Sequence, residues 1–178
     1  MNVCVFCSAA EVDKKYARPA AEFGALLAKA GHTLVWGGSD RGLMKIVADA
    51  VDENGGKIVG ISFELLKHRA REKAAEMIVE KDLSTRKATM LARTDVFVAL
   101  VGGIGTLDEL GEILALKTHE IHHKPIILLD TDHFYEAFKA QLRRMQDERF
   151  LHKPLEELMY FADTPQDAMR YIENHVIH

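Results

Sequence analysis

Asp95-Val96-Phe97-Val98-Ala99-Leu100-Val101-Gly102-Gly103-Ile104-Gly105-Thr106-Leu107-Asp108-Glu109 is the stretch from which the fold is read. After Asp95 the residues are continuously apolar instead of alternating, which predicts a strand over 95–101 covered on both faces. The glycines then permit a tight turn. From Leu107 the apolar spacing becomes helical, through Leu110, Ile113 and Leu114, with Lys117 in the same stripe. Strand, glycine turn and helix in that order form half of a βαβ unit.

The same alternation runs in both directions. Further β-rich runs lie at 2–7, 33–36, 57–62, 76–80, 125–130 and 157–162. Leu43, Ile46, Val47, Ala50 and Val51 make one helical stripe, which stops at Asn54-Gly55-Gly56. Phe134, Phe138 and Leu142 repeat the period, and Thr164-Pro165-Gln166-Asp167 supplies an N-cap, a first-turn proline and an acid for a last helix. No repeat, low-complexity tract or linker interrupts the series. The expectation is one α/β domain over residues 1–178, a doubly wound and mostly parallel sheet with helices on both faces. Ligands of such sheets sit beyond the carboxyl ends of the strands, where the strand order reverses.

Composition narrows the function classes. The 178 residues carry 23 basic and 27 acidic side chains, a net charge of -4 that offers nucleic acid no electrostatic footprint. No apolar run reaches membrane-spanning length, and Met1-Asn2-Val3-Cys4 opens on a strand without signal-peptide features, so a cytoplasmic location is expected. Cys4 and Cys7, three apart in a strand, point to opposite faces and read as small buried hydrophobes, not as metal or redox ligands. His119 and His123 have the spacing of a metal pair near a helix end, where the helix dipole equally favours solvated histidines.

Chemistry concentrates at three predicted strand ends. These are Cys7-Ser8-Ala9-Ala10, the loop Gly37-Gly38-Ser39-Asp40-Arg41-Gly42-Leu43-Met44, and the loop Gly102-Gly103-Ile104-Gly105-Thr106-Leu107-Asp108-Glu109. Glycine-rich turns into helices let backbone N–H groups approach an anion, and two in one sheet point to a phosphate or nucleotide. Neither loop continues into Gly-Lys-Ser/Thr, and neither has the G-x-G-x-x-G spacing, so simple ATPase and NAD readings lose ground. Arg86-Lys87 place two cations on the first turn of a helix, against its dipole. They read as a clamp for phosphate or a reacting group, with a solvated surface pair as the alternative. Glu109 fits a capping box begun by Thr106, and it also places a carboxylate beside the anion loop.

In this order the motifs resemble the Lonely guy family, cytokinin riboside 5′-monophosphate phosphoribohydrolases formerly described as lysine decarboxylases. The family's P-G-G-x-G-T-x-x-E stands here as Val101 through Glu109, with Arg86-Lys87 as its upstream R-K pair. Its G-G-G-S-x-G-L-M is similar to Gly37 through Met44 with one glycine displaced, and Cys4-Val5-Phe6-Cys7-Ser8 and Ile121-His122-His123-Lys124-Pro125 match as well. The resemblance covers residues 2–145.

It implies a Rossmann-like homodimer that cleaves the N-glycosidic bond of a nucleoside 5′-monophosphate, with neither metal nor organic cofactor. It further implies Arg86 and Glu109 as the catalytic pair. Ser8, Gly37, Gly38, Ser39, Gly42, Met44, Lys87, Gly102, Gly103, Gly105 and Thr106 would bind the substrate. Departures from the pattern are Val101 for Pro, Leu83-Ser84-Thr85 where M-H-x precedes R-K, Ile61-Ser62-Phe63 for V-I-P, and Leu116 for a Trp. The last three are expected where the base packs, which leaves the base open. The alternative on the same fold is a nucleotide-binding or sensing module without turnover. A decarboxylase would need a pyridoxal Schiff-base lysine in a far larger architecture, and is set aside.

Overall fold

The computed structural model describes residues 1–175. Seven strands, β1 (Asn2–Phe6), β2 (Thr33–Trp36), β3 (Lys57–Phe63), β4 (Glu76–Glu80), β5 (Val96–Ala99), β6 (Ile126–Leu129) and β7 (Tyr160–Ala162), form one sheet in the order β4-β3-β2-β1-β5-β6-β7. Every neighbouring pair is parallel, so the expected mostly parallel sheet is wholly so. The helices are α1 (Lys14–Lys29), α2 (Gly42–Glu53), α3 (Leu83–Arg93), α4 (Ile104–Thr118), α5 (Glu136–Asp147), α6 (Leu155–Leu158) and α7 (Pro165–His175). The chain builds outward from β1 to β4, then returns to lay β5 on the other side of β1. The switch point therefore lies between the carboxyl ends of β1 and β5.

Strand periodicity sorts the core into two layers. Val3, Val5 and Cys7 join Phe23, Leu27, Trp36 and Val47 on one face, while Cys4 and Phe6 join Met90, Phe97 and Leu110 on the other. The two cysteines thus occupy opposite layers as free, fully buried thiols, and burial pushes both well above the ordinary thiol range.

One element is corrected. The run 157–162 is not a single strand, because residues 155–158 form α6 and only Tyr160–Ala162 pair with β6. Pro154 at the N-cap position, Glu156 and Glu157 in the first turn, and buried Leu155 and Leu158 one turn apart all favour a helical turn. The N-cap at Thr164 forms as read, its Oγ1 accepting the Asp167 N–H at 3.1 Å.

Two glycines at the ends of α2 share a left-handed backbone for different reasons. Gly55, with φ +73°, ends the helix in open space. Gly42, with φ +53°, begins it so close to the backbone of Ala9 and Ala10 that any Cβ would collide there. This contact, with Met44 N–H donating to Ser8 O at 3.0 Å, fastens the β1 loop to the start of α2. Gly55→Ala should cost about 1 kcal/mol and Gly42→Ala about 2–4 kcal/mol, measured as shifts in the urea unfolding midpoint at constant m.

Candidate active site

Arg86 is placed by a cap that lies just upstream. Asp82 Oδ1 accepts the Thr85 N–H at 2.8 Å while Thr85 Oγ1 accepts the Asp82 N–H at 3.3 Å, a capping box that fixes the start of α3. Arg86 then turns inward. Its Nε donates to Ile61 O at 2.8 Å and its Nη1 donates to Glu109 Oε1 at 2.8 Å, with both side chains 8% exposed. The unfavourable dipole position is thereby offset by a buried ion pair.

Glu109 does not close a capping box with Thr106. α4 begins at Ile104 with Gly103 as an N-cap lacking a side chain, so Thr106 is already the third helical residue and Glu109 lies a turn deeper. Glycines 102 and 103 let the helix start earlier than the Thr106 signal suggests, and the carboxylate satisfies Arg86 instead of the backbone. Burial raises the Glu109 carboxyl above the ordinary glutamate range. Arg86 opposes the rise by charge and hydrogen bond, and neighbouring Asp108 adds to it.

The pair faces a cavity of about 370 Å³ at the switch point, a volume suited to a small ligand. Of the residues expected at a binding site, Ser8, Gly37, Ser39, Met44, Gly103, Gly105 and Thr106 line it together with Arg86 and Glu109. Gly38, Gly42, Gly102 and Lys87 do not. A Cβ at Gly37 would strike the Arg86 guanidinium, one at Gly102 would strike Thr106, and one at Gly38 would press on Met77. These glycines make room for other residues. Around Gly103 and Gly105, by contrast, no protein atom would meet a Cβ, so packing does not require their bareness and the backbone there stays open to the cavity. Lys87 turns away to Asp108 and Glu112.

Cys7, Ala9 and Asp108 of the predicted strand ends also line the walls, which Leu66 and Arg69, residues that the sequence did not single out, complete. Leu66 and Arg69 belong to a 3-10 segment, Glu64–Arg69, held across the cavity by long-range bonds. Asp40 N–H donates to Arg69 O at 2.9 Å, Arg71 N–H donates to Gly38 O at 2.8 Å, and the Arg71 guanidinium lies among Asp40, Asp49 and Asp52. No local periodicity announces such a brace. The Ser39 hydroxyl is buried at the wall and makes no hydrogen bond.

Of the departures expected near the base, Ser62, Phe63 and Leu83 line this cavity. Leu116 does not. It borders a small void behind Glu109, beside Phe6, Met90 and Phe97. The histidine pair is also corrected, since α4 ends at Thr118 and Glu120 has φ +60°, so His119 and His123 do not share a helical face. His122 is buried, accepting the Lys124 N–H at Nδ1 and donating from Nε2 to Ile113 O at 2.9 Å. Among the described residues no three His, Cys, Asp or Glu side chains gather as metal ligands would.

At the mouth of α4 the N–H groups of Ile104, Gly105 and Thr106 lack intrahelical partners, and the helix dipole adds positive potential there. The fold and site together define a doubly wound α/β protein with an open helix N-terminus and a cavity at its switch point, and a buried Arg–Glu pair beside them. The family model described as "Possible lysine decarboxylase" matches residues 44–172. A probable cytokinin riboside 5′-monophosphate phosphoribohydrolase of Oryza sativa subsp. japonica is 35% identical over 98% of this chain and 72% of its own. The cytokinin riboside 5′-monophosphate phosphoribohydrolase of Mycobacterium tuberculosis is 35% identical over 95% of this chain and 91% of its own. The chain belongs to this lysine-decarboxylase-like, or Lonely guy, family. A molybdenum cofactor binding protein from Rippkaea orientalis shares the fold, with TM-score 0.75, 22% identity and coverage of 97% of this chain and 95% of that one.

Carbon-13 NMR titration of Glu109 should give a midpoint above the ordinary 4.5. Arg86→Met should raise it further, because the cation that favours the carboxylate is gone while burial remains.

Proposed function

We propose that this protein hydrolyses the N-glycosidic bond of a nucleoside 5′-monophosphate, of the AMP or cytokinin riboside monophosphate type, to free base and ribose 5-phosphate. The observation that carries the reading is the buried Arg86–Glu109 pair opening onto the same cavity as the bare glycines 103 and 105. The names of the relatives agree with it.

The 5′-phosphate sits on the first turn of α4, against the backbone of Gly103–Thr106. That contact sets the ribose beside Glu109. As the bond from C1′ to the base nitrogen breaks, positive charge develops on the ribose, and the Glu109 carboxylate stabilises it. Water adds its oxygen to C1′ and gives up a proton to Glu109. The departing base takes a proton from solvent, and Glu109 later returns its own to solvent, so that the enzyme is regenerated. Glu109 orients the water and accepts its proton, a role suited to a carboxylate whose affinity for protons is raised by burial. Arg86 keeps that carboxylate ionised and in place. These steps call for neither a metal nor an organic cofactor.

A cytoplasmic homodimer belongs to the same reading. Among the described residues no helix is long and apolar enough to cross a membrane. On α4, Ile113 is taken up by the core and Leu114 and Leu116 are half-buried, whereas Leu65, Ile104, Ile121 and Phe150 lie exposed. Sedimentation should give twice the 20.0 kDa chain mass.

Incubation with AMP and other nucleoside monophosphates should release free base. Glu109→Ala should lower kcat by about 10²–10³-fold while nucleotide binding persists. Tight binding by the wild type with no base released from any monophosphate would select a binding module instead.

A further inference from the structure

The two members of the buried pair are anchored unequally. Arg86 is held twice, by Glu109 and by Ile61 O on β3. Glu109 makes no second hydrogen bond among the described residues, so its position follows that of α4. Nor do α3 and α4 pack tightly at this level, since the small void behind Glu109 lies between them, bordered by Lys87 and Met90 on one side and Ile113 and Leu116 on the other.

Lys87 bridges that gap. Its ammonium lies 3.1–3.2 Å from both oxygens of Asp108 and also meets Glu112. Asp108 and Glu112 are one turn apart and bracket Glu109 along the helix. The Lys87 side chain is 16% exposed and its partners Asp108 and Glu112 are 53% and 37% exposed, so a partly buried ammonium is shared by two carboxylates that face solvent. Two contacts a turn apart fix a helix against both sliding and rotation.

We propose that Lys87 is a positioning residue, whose bridge to Asp108 and Glu112 locks α4 against α3 so that Glu109 meets Arg86 at bonding distance. For its kinetic readout this inference rests on the phosphoribohydrolase reading; its structural readout does not. The charged and titratable groups around Glu109 are Arg86 and Lys87 from α3, Asp108 and Glu112 from its own helix, the Cys4 thiol from β1 and the Cys7 thiol just after it, and Arg69 across the cavity. Removing Lys87 leaves Asp108 and Glu112 unbalanced, and both then disfavour the Glu109 carboxylate.

Lys87→Met should lower kcat about tenfold or more while KM for AMP stays within about twofold, and should move the acid limb of the pH–rate profile upward. Lys87→Arg should restore most of the rate. The carbon-13 titration of Glu109, recorded without substrate, should move upward in Lys87→Met. If that variant folds poorly, the double variant Asp108→Asn/Glu112→Gln removes the same bridge from the other side; kcat should fall although the Glu109 titration now moves down. A raised KM at unchanged kcat would make Lys87 a phosphate ligand and overturn the proposal, as would an unmoved kcat and titration. Wild-type protein that releases no base would sink the hydrolase reading, and a Glu109 titration that responds less to Arg86→Met in the Lys87→Met background than in the wild type would still support the positioning role.

Discussion

The site depends on keeping two opposite charges buried beside an open cavity. Removing either partner of such a pair leaves an uncompensated charge, commonly at a cost of about 3–5 kcal/mol, whereas the intact pair contributes little to stability. A chain that retains the Arg86–Glu109 pair therefore spends structure on it. The capping box of Asp82 and Thr85 sets where α3 begins, Gly37 leaves space for the guanidinium, and Ile61 O takes a second guanidinium hydrogen bond. The early start of α4 at Ile104 brings Glu109 inward.

Glycine serves two separate purposes around this pair. Gly37, Gly38, Gly42 and Gly102 are bare because another protein atom occupies the place of a side chain. Gly103 and Gly105 are bare with nothing opposite them. In sequence the two kinds look alike, and both read as phosphate loops. Only tertiary contacts distinguish a glycine that admits a neighbour from one that leaves backbone N–H groups open. Glycines with an open face are accordingly confined, around this cavity, to the first turn of α4.

The fold was legible because its signals are local. Continuous apolar runs mark buried parallel strands, and the stripe from Leu43 to Val51 marks α2, with no long-range information needed. Even the failure at 157–162 has a local cause, since Pro154 and the acids after it start a helical turn that the β-rich composition conceals. The site was legible at its loops and at Arg86, whose cation on a first helical turn conflicts with the dipole and so asks for a reason. Glu109 was ambiguous because the capping-box spacing from Thr106 is correct; what is wrong is the helix start. The brace over residues 64–71 could not be read at all. It is held by Asp40, Asp49 and Asp52, residues 19–31 positions upstream of Arg71.

This difference in construction bears on how the two ends of the cavity tolerate sequence change. The end at the start of α4 is made of backbone: the N–H groups of Ile104, Gly105 and Thr106 depend on the helix and not on which side chains it carries. Val101 in place of the family's proline leaves that turn intact, with α4 starting at Ile104 and Leu107 N–H donating to Gly103 O. The opposite end is made of side chains, Phe63, Leu66, Arg69 and Leu83, on segments held in place by distant contacts. Each substitution there changes the shape or charge of the wall directly. Under the proposed reaction, a common sugar-phosphate grip with a variable partner for the base would follow from building one end from main chain and the other from side chains.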